Sequence, residues 1–357
     1  MKLKHILLIS TLLLLSVFIS ACSSAIYAST GWQGLTAGSD TAYLAAGTQV
    51  YAVDLNTGSE KWRYPAKANS KITFYANPVL TSDGQLLVPS YDHKLYSLNP
   101  STGSENWIFS GSKNRLIGSP LATENMIYQP SADGNLYAVE LTGTQVWVQQ
   151  TGGPLWGTPA AGTDCGCVYV PSMDHFVYAF DASTGKQLWK SADLTSAIVG
   201  TPAVSSDGVI YVGTFGKEMI ALNAADGSIK WRFTTQDWIW SGPALESNVL
   251  YFGDLSGYLY ALNASDGTTL WRIQPQNAIV DTPVVSGDKL YFTTEADTVY
   301  GVSTAGDIQI SKVIGGLIYS APVIVGDTIL VAPTNFDALL VALNLDGNQK
   351  WTFTPAK

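Results

Sequence analysis

Cysteine is almost absent, with three among 357 residues. One of them, Cys22, falls at the end of an apolar leader, which leaves Cys165 and Cys167 in the rest of the chain. Two cysteines are too few for a disulfide framework, so the core has to come from apolar burial. Charge is also sparse: 13% of residues carry it, the net value is −9, and lysines and arginines nowhere form a block. Nucleic acid and anionic membrane surfaces require clustered cations, so neither is expected as the main partner. Beyond the leader no apolar run is long enough to span a bilayer. No segment there keeps a 3.6-residue period, which argues against an α-helical core. What is plentiful is aromatic side chain (11%) and glycine (33 residues), set in short apolar runs separated by turns. That composition fits a large all-β protein.

The leader has the layout of a signal peptide over residues 1–21. Lys2 and Lys4 precede an apolar run, Ile6 to Ile19, that is short for a transmembrane helix. It ends in Ile19-Ser20-Ala21-Cys22, which resembles the bacterial lipobox. The resemblance implies cleavage before Cys22, diacylglycerol on its thiol and a further acyl chain on its amine. Two or three chains, at about 0.8 kcal/mol per buried methylene, make a stable membrane anchor. Residues 22–30 then read as the lipidated cysteine and a polar tether, and 31–357 as one domain.

That domain is written as a repeat. AFDASTGKQLW, from Ala179 to Trp189, reads as a strand end, a tight turn and a second strand closed by tryptophan. The same frame ends at Trp62, Trp107, Trp231 and Trp271, and in copies one residue shorter at Trp147, Ile310 and Trp351. In all eight copies the turn glycine stands four residues before the closing position: Gly58, Gly103, Gly143, Gly185, Gly227, Gly267, Gly306 and Gly347. The spacing is about 40 residues, the period of β-propeller blades. Within a repeat, Asp-Gly pairs such as Asp207-Gly208 and Asp226-Gly227 separate four short strands, as positive-φ hairpin turns do. The expectation is an eight-bladed β-propeller of four-stranded antiparallel blades, stacked because no blade can bury both faces alone. Each closing tryptophan can bury roughly 200 Å², a gross transfer term of about 5 kcal/mol. Ile310 breaks the frame, so the blade junction it serves is expected to be the weakest.

The frame A-x-D-x-x-T-G-x-x-x-W resembles the tryptophan-docking repeat of the pyrroloquinoline-quinone (PQQ) repeat propellers, and the likeness covers essentially the whole chain after the tether. That family includes PQQ-dependent alcohol dehydrogenases, sensor ectodomains and the non-catalytic BamB-type lipoproteins of outer-membrane β-barrel assembly. A lipobox followed by eight short blades looks most like the BamB-type group. The resemblance implies protein partners in the cell envelope, a lipid-anchored position outside the cytoplasm, and no cofactor. The alternatives are a PQQ- and Ca²⁺-dependent oxidoreductase and a carbohydrate-binding surface sensor. A quinoprotein would need convergent carboxylates and an amide around Ca²⁺ with a further Asp as general base. Many such enzymes also carry two adjacent cysteines. Cys165-Gly166-Cys167 is not such a pair, and it reads as a local disulfide or two plain thiols in a hairpin turn. His93 and His175 sit in equivalent turns and read as residues tolerating left-handed backbone.

One further set is informative. Three residues before each first-strand proline, or before Leu35 in its place, stand Trp32, Tyr75, Ile117, Trp156, Val199, Trp240, Val280 and Tyr319. If the repeats superpose, these side chains ring one mouth of the central channel. Five are aromatic, and Trp238 can project beside Trp240 if that connection is extended. The candidate binding rim is therefore Trp32, Tyr75, Trp156, Trp238, Trp240 and Tyr319. Acidic turn residues of the same face (Asp92, Asp133, Asp174, Glu218, Asp254, Glu295, Asp297 and Asp337) are expected to make it negative and to steer a basic partner segment toward it.

Overall fold

The structure, a computed structural model, describes residues 32–356. The leader, Cys22 and the tether lie outside the described residues. Eight antiparallel four-stranded sheets follow one another along the chain, at 34–64, 79–109, 121–150, 160–190, 203–234, 244–273, 284–313 and 323–353. They are the eight blades of a β-propeller. Blade five is representative, with strands Ala203–Val204, Val209–Gly213, Glu218–Asn223 and Ile229–Thr234 paired in sequence order. A small extra ladder joins Leu317–Ile318 to Pro333–Thr334 within repeat eight.

The core is not one mass but a set of seams between neighbouring blades. Leu44 and Val53 of blade one pack with Leu330 and Leu340 of blade eight, which closes the ring. Tyr169 and Val177 of blade four pack likewise with Ile210 and Ile220 of blade five. Each sheet is therefore apolar on both faces, and its two middle strands are buried almost end to end.

The docking frame does its work between blades rather than within one. All seven tryptophans of the frame donate Nε1–H to a turn carbonyl of the next blade at 2.8–3.1 Å, as Trp62 does to Pro100 and Trp351 does to Leu55 across the closure. The glycine of that next turn lies under the indole. At Gly227 φ is +73° and an added Cβ would stand 2.6 Å from the Trp189 ring. Glycine is required there twice, for its backbone conformation and for the absence of a side chain. The turn itself is held by its first polar residue: Asp181 Oδ1 accepts from the amides of Ser183 and Thr184 and from both hydroxyls. These bonds to the carboxylate, the Ser183 hydroxyl first, pull the Asp181 pKa down to about 2. In every blade the register shifts one residue past the partner of the closing position, for example after Ala179 opposite Trp189. This bulge releases the strand into the turn.

Second-strand tyrosines reinforce the lock. Tyr128, Tyr169 and Tyr211 donate to the same carbonyls as their blade's tryptophan, at 2.9, 3.3 and 3.0 Å. At Ile310 the indole and its hydrogen bond are missing. Gly347 meets the isoleucine instead, and the Leu345 carbonyl keeps only Tyr291 Oη at 3.5 Å. Cys165 and Cys167 form a disulfide in the first hairpin of blade four. His93 and His175 adopt φ of 70° and 77° in their turns, the left-handed backbone expected of them.

Candidate functional site

The connection entering each blade alternates a buried anchor with a residue facing the axis. Phe74, Leu116, Leu155, Ile198, Ile239, Ile279 and Ile318 are all fully buried, and each immediately precedes a residue of the three-before-proline set. Backbone bonds pin the segment from both sides. In blade six the Ile239 amide donates to Thr214 O of blade five, and the Trp238 carbonyl accepts from the Leu255 amide of its own blade. The same two bonds recur around most of the ring, so the axial side chains are carried on a fixed frame.

All eight members of the set line one central cavity of about 410 Å³. Four of the six candidate rim residues, Tyr75, Trp156, Trp240 and Tyr319, are in its wall, and Trp32 reaches it from blade one. Trp32 and Trp240 meet edge to face with centroids 5.9 Å apart, although blades one and six are not neighbours. The fifth blade contributes a residue that sequence reasoning passed over. Phe215 stacks on both Trp238 and Trp240 at 5.1 Å. Trp238 is thereby placed outside the cavity wall, on the solvent side of Phe215, and it keeps 43% of its surface exposed. The aromatic feature is thus an arc of four rings, Trp32–Trp240–Phe215–Trp238, running from the bore outward. Tyr75 extends a second, smaller group through Tyr91, whose ring also carries the Arg115 guanidinium at 5.3 Å.

The acidic turn residues are placed differently from the expectation. Asp92, Asp133 and Asp174 each accept the hydroxyl of the tyrosine four residues on, Tyr96, Tyr137 and Tyr178. Asp254 does the same for Tyr260 from two positions earlier in its turn and is fully buried. Burial, then these bonds, raises the tyrosine pKa values, to about 12 at Tyr178. Glu218 pairs with Arg232, and Asp92 also has Lys94 at 3.7 Å. Several of these carboxylates are thus tied to the protein rather than free, although accepting a neutral hydroxyl removes none of their negative charge. They are mostly fasteners of the second turn.

Behind the rim, one residue further along each connection, a second tier faces the bore. Blades two to five supply Ala76, Gly118, Gly157 and Gly200, and blades six, seven, eight and one supply Ser241, Asp281, Ser320 and Gln33. Close packing of the inner strands requires the small residues: a Cβ on Gly200 would sit 2.3 Å from the Ser241 backbone. Asp281 accepts the amides of Thr282 and Ala321, both at 2.6 Å, the second from blade eight. Burial raises its pKa to about 6, against the pull of those two bonds.

Eight blades locked by docked tryptophans, with axial side chains converging on one cavity, define a PQQ-repeat β-propeller. The family model described as outer membrane protein assembly factor BamB matches residues 46–172, 141–238, 173–278 and 234–355, and the chain belongs to that family. Among curated relatives, the outer membrane protein assembly factor BamB of Nitrosomonas eutropha is 28% identical over 155 residues, covering 43% of this chain and 37% of that one. The BamB of Moranella endobia is 26% identical over 215 residues, 56% of this chain and 53% of that one. A lanthanide-dependent methanol dehydrogenase of Methylacidiphilum fumariolicum is 32% identical over 130 residues, but these cover 31% of this chain and 21% of the enzyme. The alignments with these relatives span between about a fifth and a half of their lengths. In fold, the crystal structure of BamB from Moraxella catarrhalis superposes with a TM-score of 0.72 at 16% identity, over 86% of this chain and 94% of that one. The computationally designed Ika8 protein superposes with a TM-score of 0.77 at 14% identity, over 87% and 95%.

Proposed function

We propose that the chain is a non-catalytic propeller scaffold, lipid-anchored through Cys22 outside the cytoplasm, that binds protein segments of the cell envelope during outer-membrane protein assembly. Membership of the BamB family supports the setting. The observation that carries the binding role is the aromatic arc at the cavity mouth. Trp32 and Trp238 are 36% and 43% exposed while Phe215 and Trp240 hold them in place. Large aromatic side chains on a rigid frame bury much area at low entropic cost, which is what a protein-docking surface needs. The frame is a disc, and recognition belongs to the loops and connections of one face.

The test is affinity capture of the full-length chain from detergent-solubilised membranes, with and without Trp32→Ala and Trp238→Ala. A specific envelope protein that co-purifies with the parent and is lost with the double variant supports the reading. A chain that stays alone, or a partner indifferent to both tryptophans, defeats it. Cys22→Ser should move the chain from the membrane to the soluble fraction. Saturable binding of PQQ with Ca²⁺, followed by its absorbance, would favour the oxidoreductase alternative instead.

A further inference from the structure

Cys165 and Cys167 form a disulfide that does little for the fold. It spans a single intervening residue, Gly166, and a crosslink stabilises by the loop entropy that it removes from the unfolded chain, least for the shortest loop. The hairpin is already shut without it. Ala161 pairs with Val168, and the Gly162 amide donates to Cys167 O at 2.9 Å. The first hairpins of the other seven blades carry no cysteine and close through the backbone, as blade five does from Ser205 N to Val209 O.

The two sulfurs also differ in access. Cys165 is exposed together with Thr163, Asp164 and Gly166, whereas Cys167 is only 4% exposed and packs into the seam between blades four and five. Gly162 offers the pair no cover, since a Cβ there would run into both sulfurs. A disulfide that is exposed, and that the fold does not need as a staple, is the kind open to exchange. Tyr169 Oη stands 3.4 Å from Cys165 Sγ, and burial raises the pKa of this phenol, so it keeps its proton and can donate to a thiolate at Cys165.

We propose that Cys165–Cys167 is a thiol–disulfide exchange site that oxidises dithiols on protein segments. A substrate thiolate attacks Cys165 Sγ, the bond between the two sulfurs breaks, and Cys167 leaves as a thiolate that takes a proton from water. The second thiolate of the substrate then attacks the substrate sulfur of the mixed disulfide, and Cys165 leaves as a thiolate facing the Tyr169 hydroxyl. Two electrons pass from the substrate, which becomes a disulfide, to the cysteine pair, which becomes a dithiol. A further round needs a disulfide donor, such as oxidised glutathione. The site adds a chemical step to the scaffold role, and it rests on the placement outside the cytoplasm proposed above, where disulfides persist. It does not rest on the aromatic arc. First and third turns share one end of an antiparallel blade, as the bond from the Ala182 amide to Gly166 O shows, and the arc is at the other end.

The oxidised full-length chain is mixed briefly with reduced glutathione, quenched with N-ethylmaleimide and mapped by mass spectrometry. The glutathione adduct is expected on Cys165 and the maleimide on Cys167. With oxidised glutathione as donor, a dithiol peptide should form its disulfide about tenfold faster beside the parent than beside Cys165→Ala with Cys167→Ala. That double variant should melt close to the parent. Tyr169→Phe should leave the adduct on Cys165 and raise the standing amount of mixed disulfide, because release of Cys165 slows. An adduct on Cys167, a bond that glutathione does not open in the folded chain, or peptide oxidation no faster than beside the double variant would overturn the proposal. So would a large fall in melting temperature in that variant, which would mark the bond as a staple. Alkylation in living cells separates this inference from the placement: a pair wholly reduced there, with exchange intact in the purified chain, counts against the envelope and supports the chemistry.

Discussion

Seven blade junctions end in an indole, and the one between blades seven and eight ends in Ile310. At the other seven, a ring is clamped between a hydrogen bond to a neighbouring carbonyl and a glycine pressed beneath it. Blades seven and eight instead meet at the axis. Asp281 takes the Ala321 amide, Thr293 Oγ1 donates to Ser320 O at 3.1 Å, and Tyr319 Oη donates to Glu295. The seam that lacks the outer indole thus carries three side-chain hydrogen bonds at the bore. The lesson is that a propeller tolerates the loss of an outer clamp where inner polar bonds hold the register, and that such bonds create a polar arc inside the ring.

The sharpest way to break this contrast is to remove a clamp. Trp62 and Trp147 are the most buried of the set, at 9% and 8% exposure. Trp62→Ala should cost about 4 kcal/mol in urea unfolding, and Ile310→Ala nearer 2 kcal/mol. Equal losses would mean that the seventh junction is not the weak one. Gly227→Ala should come next, at about 2 kcal/mol, because its φ of +73° and the Trp189 ring oppose a methyl group together. A neutral result would show that the hairpin and the indole shift freely. Ile310→Trp should restore the missing clamp onto Leu345 O and raise stability by about 1 kcal/mol, the net value of one hydrogen bond. No gain in melting temperature would place the limit elsewhere.

The smallest effect is the response to pH, in which the two regions should oppose each other. The turn carboxylate Asp181 is depressed by its hydrogen bonds, so its contribution is present above the unfolded value near 4 and is lost as pH falls toward 2. Asp281 is raised by burial, so its contribution is full below that same unfolded value and is lost as pH rises through about 6. Melting temperature recorded from pH 2 to 8 should therefore show a shallower acid limb in Asp181→Ala, other depressed turn aspartates such as Asp54 and Asp226 keeping the rest of it, and a smaller decline toward neutrality in Asp281→Asn.

Much of the ring was legible because the frame is local. Each hairpin carries its own turn chemistry, and eight hairpins at one spacing leave few other folds open. The partner of each tryptophan was less legible. Gly185 and Trp189 are four residues apart and read as one unit, whereas the indole over Gly185 belongs to Trp147 of the preceding blade. Sequence distance hid the contact because it is made by stacking, not by the turn. The axial set could be read from its offset to the prolines, since the repeats superpose. Phe215 could not, since its turn position is filled elsewhere by Tyr91, Ala132, Met173, Leu255 and Glu295. The tyrosine partners of the acidic residues were hidden for a related reason: a carboxylate in a turn looks solvated until the tyrosine that binds it is placed.

Among the described residues no strand is lent across the join between the first and last blades: each sheet is built from its own stretch of chain, 34–64 and 323–353, the latter with the short strand Pro333–Thr334 paired outside it. Among the described residues, side chains such as Trp351, reaching Leu55, and Gln33, reaching Pro333, fasten the two ends. A polypeptide emerging amino end first must therefore hold its opening sheet half naked until the final one arrives. The interval between those events is when this protein would most need a chaperone.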